Sequence, residues 1–148
     1  MAELPKLKFP AIRLRAKHAD NGRTLVWDAQ RGEWLVLTPE EWVRRHVIGY
    51  LTTHCGIMPT SIAQEYPVAI NGMAQRADIV VIGRDGRPQL LVECKAADIK
   101  LDSAVFEQAA RYNAIVGARY IMLTNGLRTT IFERTAEGYI ALKQMPTL

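Results

Sequence analysis

Asp78-Ile79-Val80-Val81-Ile82-Gly83-Arg84-Asp85-Gly86-Arg87-Pro88-Gln89-Leu90-Leu91-Val92-Glu93-Cys94-Lys95 consists of two apolar runs around a stretch dense in turn formers. The pattern reads as an antiparallel hairpin turning on Asp85-Gly86. With an even-length turn, Asp78 falls directly across from Glu93 on the same face, with Cβ atoms about 4.5 to 5.5 Å apart, and like charges so placed repel. Lys95 shares that face about 6.6 Å further along, given a rise of about 3.3 Å per residue. One residue more or less in the turn would send every side chain to the other face, so the geometry depends on an even turn.

Both runs are apolar at almost every position, as in strands covered on both faces. Before them, Thr24 to Asp28 and Trp34 to Leu37 alternate as short strands between the turn-prone Asp20-Asn21-Gly22 and Gln30-Arg31-Gly32. Thr38-Pro39-Glu40-Glu41 opens a helix, with Thr38 as N-cap, Pro39 at the first helical position and Glu41 in the capping-box place. Val43, Val47, Ile48 and Leu51 carry the helix to about His54, before Gly56 and Pro59. A strand around Glu65 to Ile70 leads to the turn signal Asn71-Gly72. Asp102-Ser103 caps a second helix with the stripe Val105, Ala109, Tyr112 and Val116 and a stop at Gly117. Arg119 to Thr124, Thr129 to Arg134 and Tyr139 to Lys143 then read as strands. The order predicts an α/β protein of the α+β kind, a mixed sheet flanked by helices.

A chain of 148 residues with 49% hydrophobic content is long enough for one domain with a real core. The expected division is an N-terminal strand section over 1–37 and a core over 38–145 within a single domain, 1–148. No apolar stretch reaches the length of a membrane span, and the N-terminus lacks the apolar segment of a signal peptide, so a cytoplasmic protein without a membrane partner is expected. Cys55 and Cys94 lack metal-ligand spacing and read as reduced thiols. His18, His46 and His54 form no ligand pattern. The net charge of +4, carried more by arginine than lysine, is compatible with a phosphate-bearing partner.

Two facing acids in an interior hairpin pose an electrostatic problem, because buried carboxylates must be paired, protonated or metal-bound. Lys95 can neutralise only one of them. A hard cation such as Mg²⁺ or Mn²⁺ resolves the remainder with one or two carboxylates, water and phosphate oxygens. Such an ion lowers the pKa of bound water and stabilises charge on a phosphate under attack, while a nearby lysine orients or deprotonates that water. The same spacing also fits a plain ion pair between Glu93 and Lys95 at a strand end, with Asp78 solvated.

Thr38-Pro39-Glu40-Glu41-Trp42-Val43-Arg44-Arg45, Arg76-Ala77-Asp78-Ile79-Val80-Val81, Leu91-Val92-Glu93-Cys94-Lys95-Ala96 and Gln108-Ala109-Ala110-Arg111-Tyr112-Asn113 occur in this order. Together they resemble the PD-(D/E)XK nuclease superfamily, and more closely the N-terminal nuclease region of type I restriction enzyme R (HsdR) subunits and small standalone relatives. The resemblance runs from roughly Arg13 to Glu133. It implies a restriction-endonuclease-like fold and a Mg²⁺- or Mn²⁺-dependent DNA endonuclease. It implies that Asp78, Glu93 and the Cys94 backbone carbonyl hold the metal, that Lys95 assists the attacking water, and that Gln108 and Tyr112 line the site. Glu41 matches the acid of the first helix, although a capping-box glutamate needs no catalytic role. Glu65 could add acidity or be a strand-end charge. Arg44, Arg45, Arg76 and Tyr112 are candidate nucleic-acid contacts. The sequence holds no P-loop and is too short for a helicase motor, so DNA, other restriction-modification subunits and a second copy for double-strand cutting are the expected partners. The alternative is a catalytically weak nucleic-acid-binding or structural module of a larger restriction or repair complex.

Overall fold

The structure, a computed structural model, describes residues 4–148. The first three residues of the expected N-terminal section lie outside the described residues. Three short strands come first, β1 (Ala16–His18), β2 (Thr24–Asp28) and β3 (Glu33–Val36), followed by helix α1 (Pro39–Thr53). Then come β4 (Ile62–Ile70), β5 (Met73–Ile82), β6 (Pro88–Cys94), helix α2 (Ser103–Val116), β7 (Tyr120–Thr124), β8 (Thr129–Thr135) and β9 (Gly138–Leu142). The first three strands form their own antiparallel sheet, and the other six form a sheet in chain order. Among the described residues only β6 and β7 pair in parallel, because α2 returns the chain between them. No described helix is long and apolar enough to cross a membrane.

Both helices start and stop where their capping chemistry places them. Thr38 Oγ1 accepts the Glu41 N–H at 3.0 Å, and Asp102 Oδ1 accepts the Val105 N–H at 3.1 Å. At the end of α2, Gly117 adopts φ 77°, a left-handed conformation that glycine takes without a Cβ penalty. Asn113 then receives the Ala118 N–H at 2.8 Å and donates to the Ala118 carbonyl at 2.9 Å, which fixes the entry into β7.

The large sheet is covered on both sides. Leu90, Val92 and Cys94 of β6 pack in one core with Val43, Val47 and Leu51 of α1, while Leu91 packs in the other with Val105, Ala109 and Tyr112 of α2. That double cover explains the near-continuous apolar runs.

The hairpin register comes out as expected at the acidic end, though by a different route. Ile79 pairs with Val92 and Val81 with Leu90, the register that sets Asp78 against Glu93. The turn, however, is odd: Gly83 donates to the Arg87 carbonyl at 2.8 Å around Arg84-Asp85-Gly86, with Gly86 at φ 80°. Ile82 consequently pairs with Pro88, and a bulge between Val81 and Ile82 leaves Gln89 as the extra residue that restores the register. Pro88 supplies the reason, since a residue without an N–H sits in strands chiefly at edges, at their first position or at bulges.

Candidate active site

The β5–β6 end is bound by side chains as well as by backbone. Asp78 Oδ2 accepts the Cys94 N–H at 2.7 Å, and the Asp78 N–H donates to Glu93 Oε1 at 3.4 Å, so each carboxylate takes an amide from the facing strand. By strand alternation Glu93 keeps the phase of Leu91 and Asp78 that of Val80, which puts both acids on the α2 side. The Cys94 thiol points the other way into the α1 core, and burial pushes its pKa up.

Glu93 is 4% exposed. Burial raises its pKa, with the facing charge of Asp78 adding to the effect. Asp78 is half-buried, and burial likewise raises it against the opposing Cys94 N–H; the charge of Glu40 pushes the same way. Glu40, from the first turn of α1, is therefore the helix acid whose field reaches the pair. The family resemblance matches its neighbour Glu41 to the acid of the first helix, but Glu41 is turned to Arg44 and Arg45.

Lys95 lies on the expected face, but its Nζ contacts Gln108 Oε1 at 3.5 Å, and no ion pair joins it to either carboxylate among the described residues. The contact continues as a chain in which Gln108 Nε2 donates to the Tyr112 hydroxyl at 3.3 Å and that hydroxyl donates to Gln75 Oε1 at 3.4 Å. Beside it opens a cleft of about 370 Å³ lined by Gln75, Gln108, Arg111, Tyr112 and residues of the β4–β5 turn. Tyr112 is largely buried but lines the cleft, where its hydroxyl accepts from Gln108. Gln75 was missed in the sequence because nothing local marks it; Arg111 sits three residues after Gln108, hence on the same helical side, and that spacing could have found it.

The expected arginine contacts divide. Arg76 is exposed. Arg44 bonds both oxygens of Glu41, with its Nε at 3.0 Å from Oε2, and its charge pulls the Asp78 pKa down. Arg45 is 7% exposed and donates to Glu41 at 2.8 Å and to Gln64. This burial corrects the expectation of an Arg45 phosphate contact: its guanidinium is enclosed in a structural network. Glu41 is likewise turned to the two arginines; the reciprocal capping-box bond is not made, and the Thr38 N–H goes to the Val36 carbonyl at 3.1 Å.

The network closes into a ring of three acids and three arginines. Arg45 Nη1 lies 3.6 Å from Asp28, Asp28 meets Arg31 at 2.6 Å, Arg31 meets Glu65 at 2.7 Å, and Glu65 lies 3.7 Å from Arg44. The ring ties the small sheet to α1 and β4. Glu65 is held at φ 52° in the middle of β4, a conformation that costs a non-glycine residue on the order of 1–3 kcal/mol. At this point the alternation of β4 slips, with Ile62 packing in the α1 core but Tyr66 and Val68 in the α2 core. The carboxylate of Glu65 thus goes to the arginines and not to the acid pair.

Burial alone would raise the Asp28 pKa, but the Arg31 hydrogen bond and the Arg45 charge outweigh it and hold it below the usual range. A lowered folded pKa contributes stability that is present above the ordinary carboxylate range and lost as pH falls through the folded value. Asp28→Asn should therefore flatten the acid limb of a stability-against-pH curve below about pH 4, measured by urea unfolding; an unchanged limb would remove Asp28 from the account.

The residues fit a hard divalent cation. The buried Glu93 and half-buried Asp78 carboxylates repel each other with no basic side chain paired to them, and oxygen donors are the ligands that Mg²⁺ and Mn²⁺ prefer. Among the described residues no third His, Cys, Asp or Glu completes a cluster. The repulsion has a measurable consequence without metal. A carboxyl whose folded pKa is raised loses stability as pH rises from the ordinary range to the folded value, about 8 for Glu93. At pH 8 in a chelator, Glu93→Gln should be more stable than wild type by at least about 1 kcal/mol in thermal melting; a lower melting temperature would contradict the electrostatic reading.

A six-stranded mixed sheet that presents an acid and a Glu-x-Lys on facing strand ends, flanked by two helices, defines a restriction-endonuclease-like protein. The family model of the type I restriction enzyme R protein N terminus matches residues 39–146, and the chain belongs to this family. Among solved structures, a fragment assigned to an HsdR subunit of a type I restriction enzyme from Vibrio vulnificus YJ016 aligns with a TM-score of 0.58 at 24% identity. The alignment covers 75% of this chain and 24% of that one, so the chain spans about a quarter of its solved relative. No curated protein matches the chain.

Proposed function

We propose that the chain is a metal-dependent DNA endonuclease that hydrolyses phosphodiester bonds at the Asp78, Glu93 and Lys95 centre. The observation that carries the reading is the pair of mutually repelling carboxylates, Glu93 buried and Asp78 half-buried, with a lysine on the same face, an arrangement that costs stability and has no use in a purely structural domain. Asp78, Glu93 and the Cys94 carbonyl would hold Mg²⁺ or Mn²⁺, which supplies charge stabilisation on the phosphate and a more acidic bound water. Asp78 is oriented by the Cys94 N–H, and Glu93 by the Asp78 N–H, so the carboxylates need little reordering on loading. Lys95 would orient the attacking water and take part in its deprotonation, with Gln108 holding the amine and Tyr112 holding Gln108. Arg44 adds positive charge beside Asp78, and Arg76 and Arg111 are the exposed arginines available to flanking phosphates.

Family membership supports a restriction-type role in which DNA and other restriction-modification subunits are the partners, and a second copy would be needed to cut both strands together. A catalytically weak module of a larger complex is the second reading, favoured by the fraction of its solved relative that the chain spans. The two separate on supercoiled plasmid with Mg²⁺. Nicked or linear product that disappears on chelation supports the nuclease; plasmid left supercoiled by the chain alone, but cut when restriction partners are added, supports the module.

A further inference from the structure

The outer face of the small sheet carries two cross-strand rows. Trp27 pairs with Trp34, and Arg15, whose carbonyl accepts the Trp27 N–H at 2.8 Å, extends that row; Lys17, Leu25 and Val36 form the next. The opposite face, with Val26 and Asp28, is buried against the body. The outer rows contain no acid. The indole rings lie 5.2 Å apart at 60°. Over them sit the Arg15 guanidinium, 5.6 Å from the Trp27 centroid and 5.4 Å from that of Trp34, and the Lys17 amine, 4.2 Å from Trp34.

Cations on an aromatic face can simply shield it from water. Here both belong to exposed residues and neither has a carboxylate partner among the described residues, whereas three other arginines are absorbed into the buried ring. Cation–π contact holds each cation over the rings, so less side-chain freedom remains to be lost when it meets phosphate oxygens. Charge complementarity therefore selects a polyanion.

We infer that this Trp-backed cationic face is a second DNA-backbone contact, separate from the acid pair and placed to hold the same duplex. This rests on the proposed nuclease reading. Trp34 is six residues from Glu40, whose charge acts on Asp78, so extended chain holds the face within about 20 Å of the acid that flanks the pair, less than the ~34 Å of one duplex turn. A groove of about 470 Å³ that includes Arg23, Val36 and Pro39 runs from the face to the start of α1.

The test is fluorescence anisotropy of the full chain with a labelled duplex of about 30 base pairs, in chelator, from about 50 to 200 mM salt. Each lost phosphate contact lowers the slope of log affinity against log salt by about 0.9, so the double substitution Arg15→Gln and Lys17→Gln should lower it by about 1.8. Trp34→Leu, which keeps both charges but removes the ring beneath them, should weaken binding in the same direction. Arg84→Gln with Arg87→Gln, the same charge change at the β5–β6 turn, should leave the slope close to wild type. Equal slopes for the two double variants would overturn the inference. Plasmid cleavage by wild type with an unchanged Arg15/Lys17 slope would sink this face alone, and a wild type that neither cuts nor binds would sink the nuclease reading with it.

Discussion

Lys95→Ala is expected to lower plasmid cleavage by about 10²- to 10⁴-fold while leaving the fold intact, the range for losing a positioned proton-transfer group. Lys95 follows β6 directly, its N–H bonded to the Thr124 carbonyl at 2.9 Å, so the backbone there is fixed by the β6–β7 edge and not by the amine. The side chain is half-buried and touches Gln108, not a carboxylate, so truncation breaks no ion pair. The substitution should accordingly depress the rate at saturating DNA more than it weakens binding. Gln108→Ala should give a smaller loss of the same kind, because it frees the amine without removing it. Cleavage indifferent to Lys95→Ala would place the chemistry elsewhere.

The second large effect falls on stability. Glu41 is buried and accepts from both Arg44 and Arg45, so Glu41→Ala leaves two enclosed guanidiniums short of a counter-charge. Breaking a buried pair from one side costs about 3–5 kcal/mol, which is a large part of the stability of a chain this size. Arg45 keeps Gln64 and the nearby Asp28, so the lower end is expected. Glu41→Gln, which retains an acceptor, should recover part of the loss in urea unfolding. The contrast with Glu40 separates scaffold from site: Glu40→Gln should spare stability and alter metal affinity. An unfolded Glu40→Gln beside a stable Glu41→Ala would invert the assignment.

Much of the architecture was legible because its signals were local. Thr38, Pro39, Asp102 and Gly117 mark helix ends by their own capping chemistry, and the unbroken apolar runs of β5 and β6 announce a sheet covered on both faces. The facing of Asp78 and Glu93 was also legible, yet the even turn assumed for it does not occur. A three-residue turn and the bulge at Gln89 offset each other, and Pro88, which makes the bulge reasonable, reads in sequence as no more than a turn residue. The ring of Asp28, Arg31, Glu65, Arg44, Glu41 and Arg45 could not be read at all, since it joins residues that only the packing of the small sheet against α1 brings together. Hence Arg44 and Arg45, adjacent and basic, look like one surface patch in the sequence but are bonded inward. Glu41 faces away from its expected place for a related reason: a 100° step along α1 decides which of two neighbouring acids faces the arginines.

The claim on which the account turns is that Asp78 and Glu93 together hold a divalent cation. Calorimetric titration of Mn²⁺ into the wild-type chain, with Asp78→Ala and Glu93→Ala beside it, tests it without relying on cleavage. The account predicts saturable binding in wild type that is lost in both variants. No binding in wild type, or binding that survives both substitutions, would contradict it.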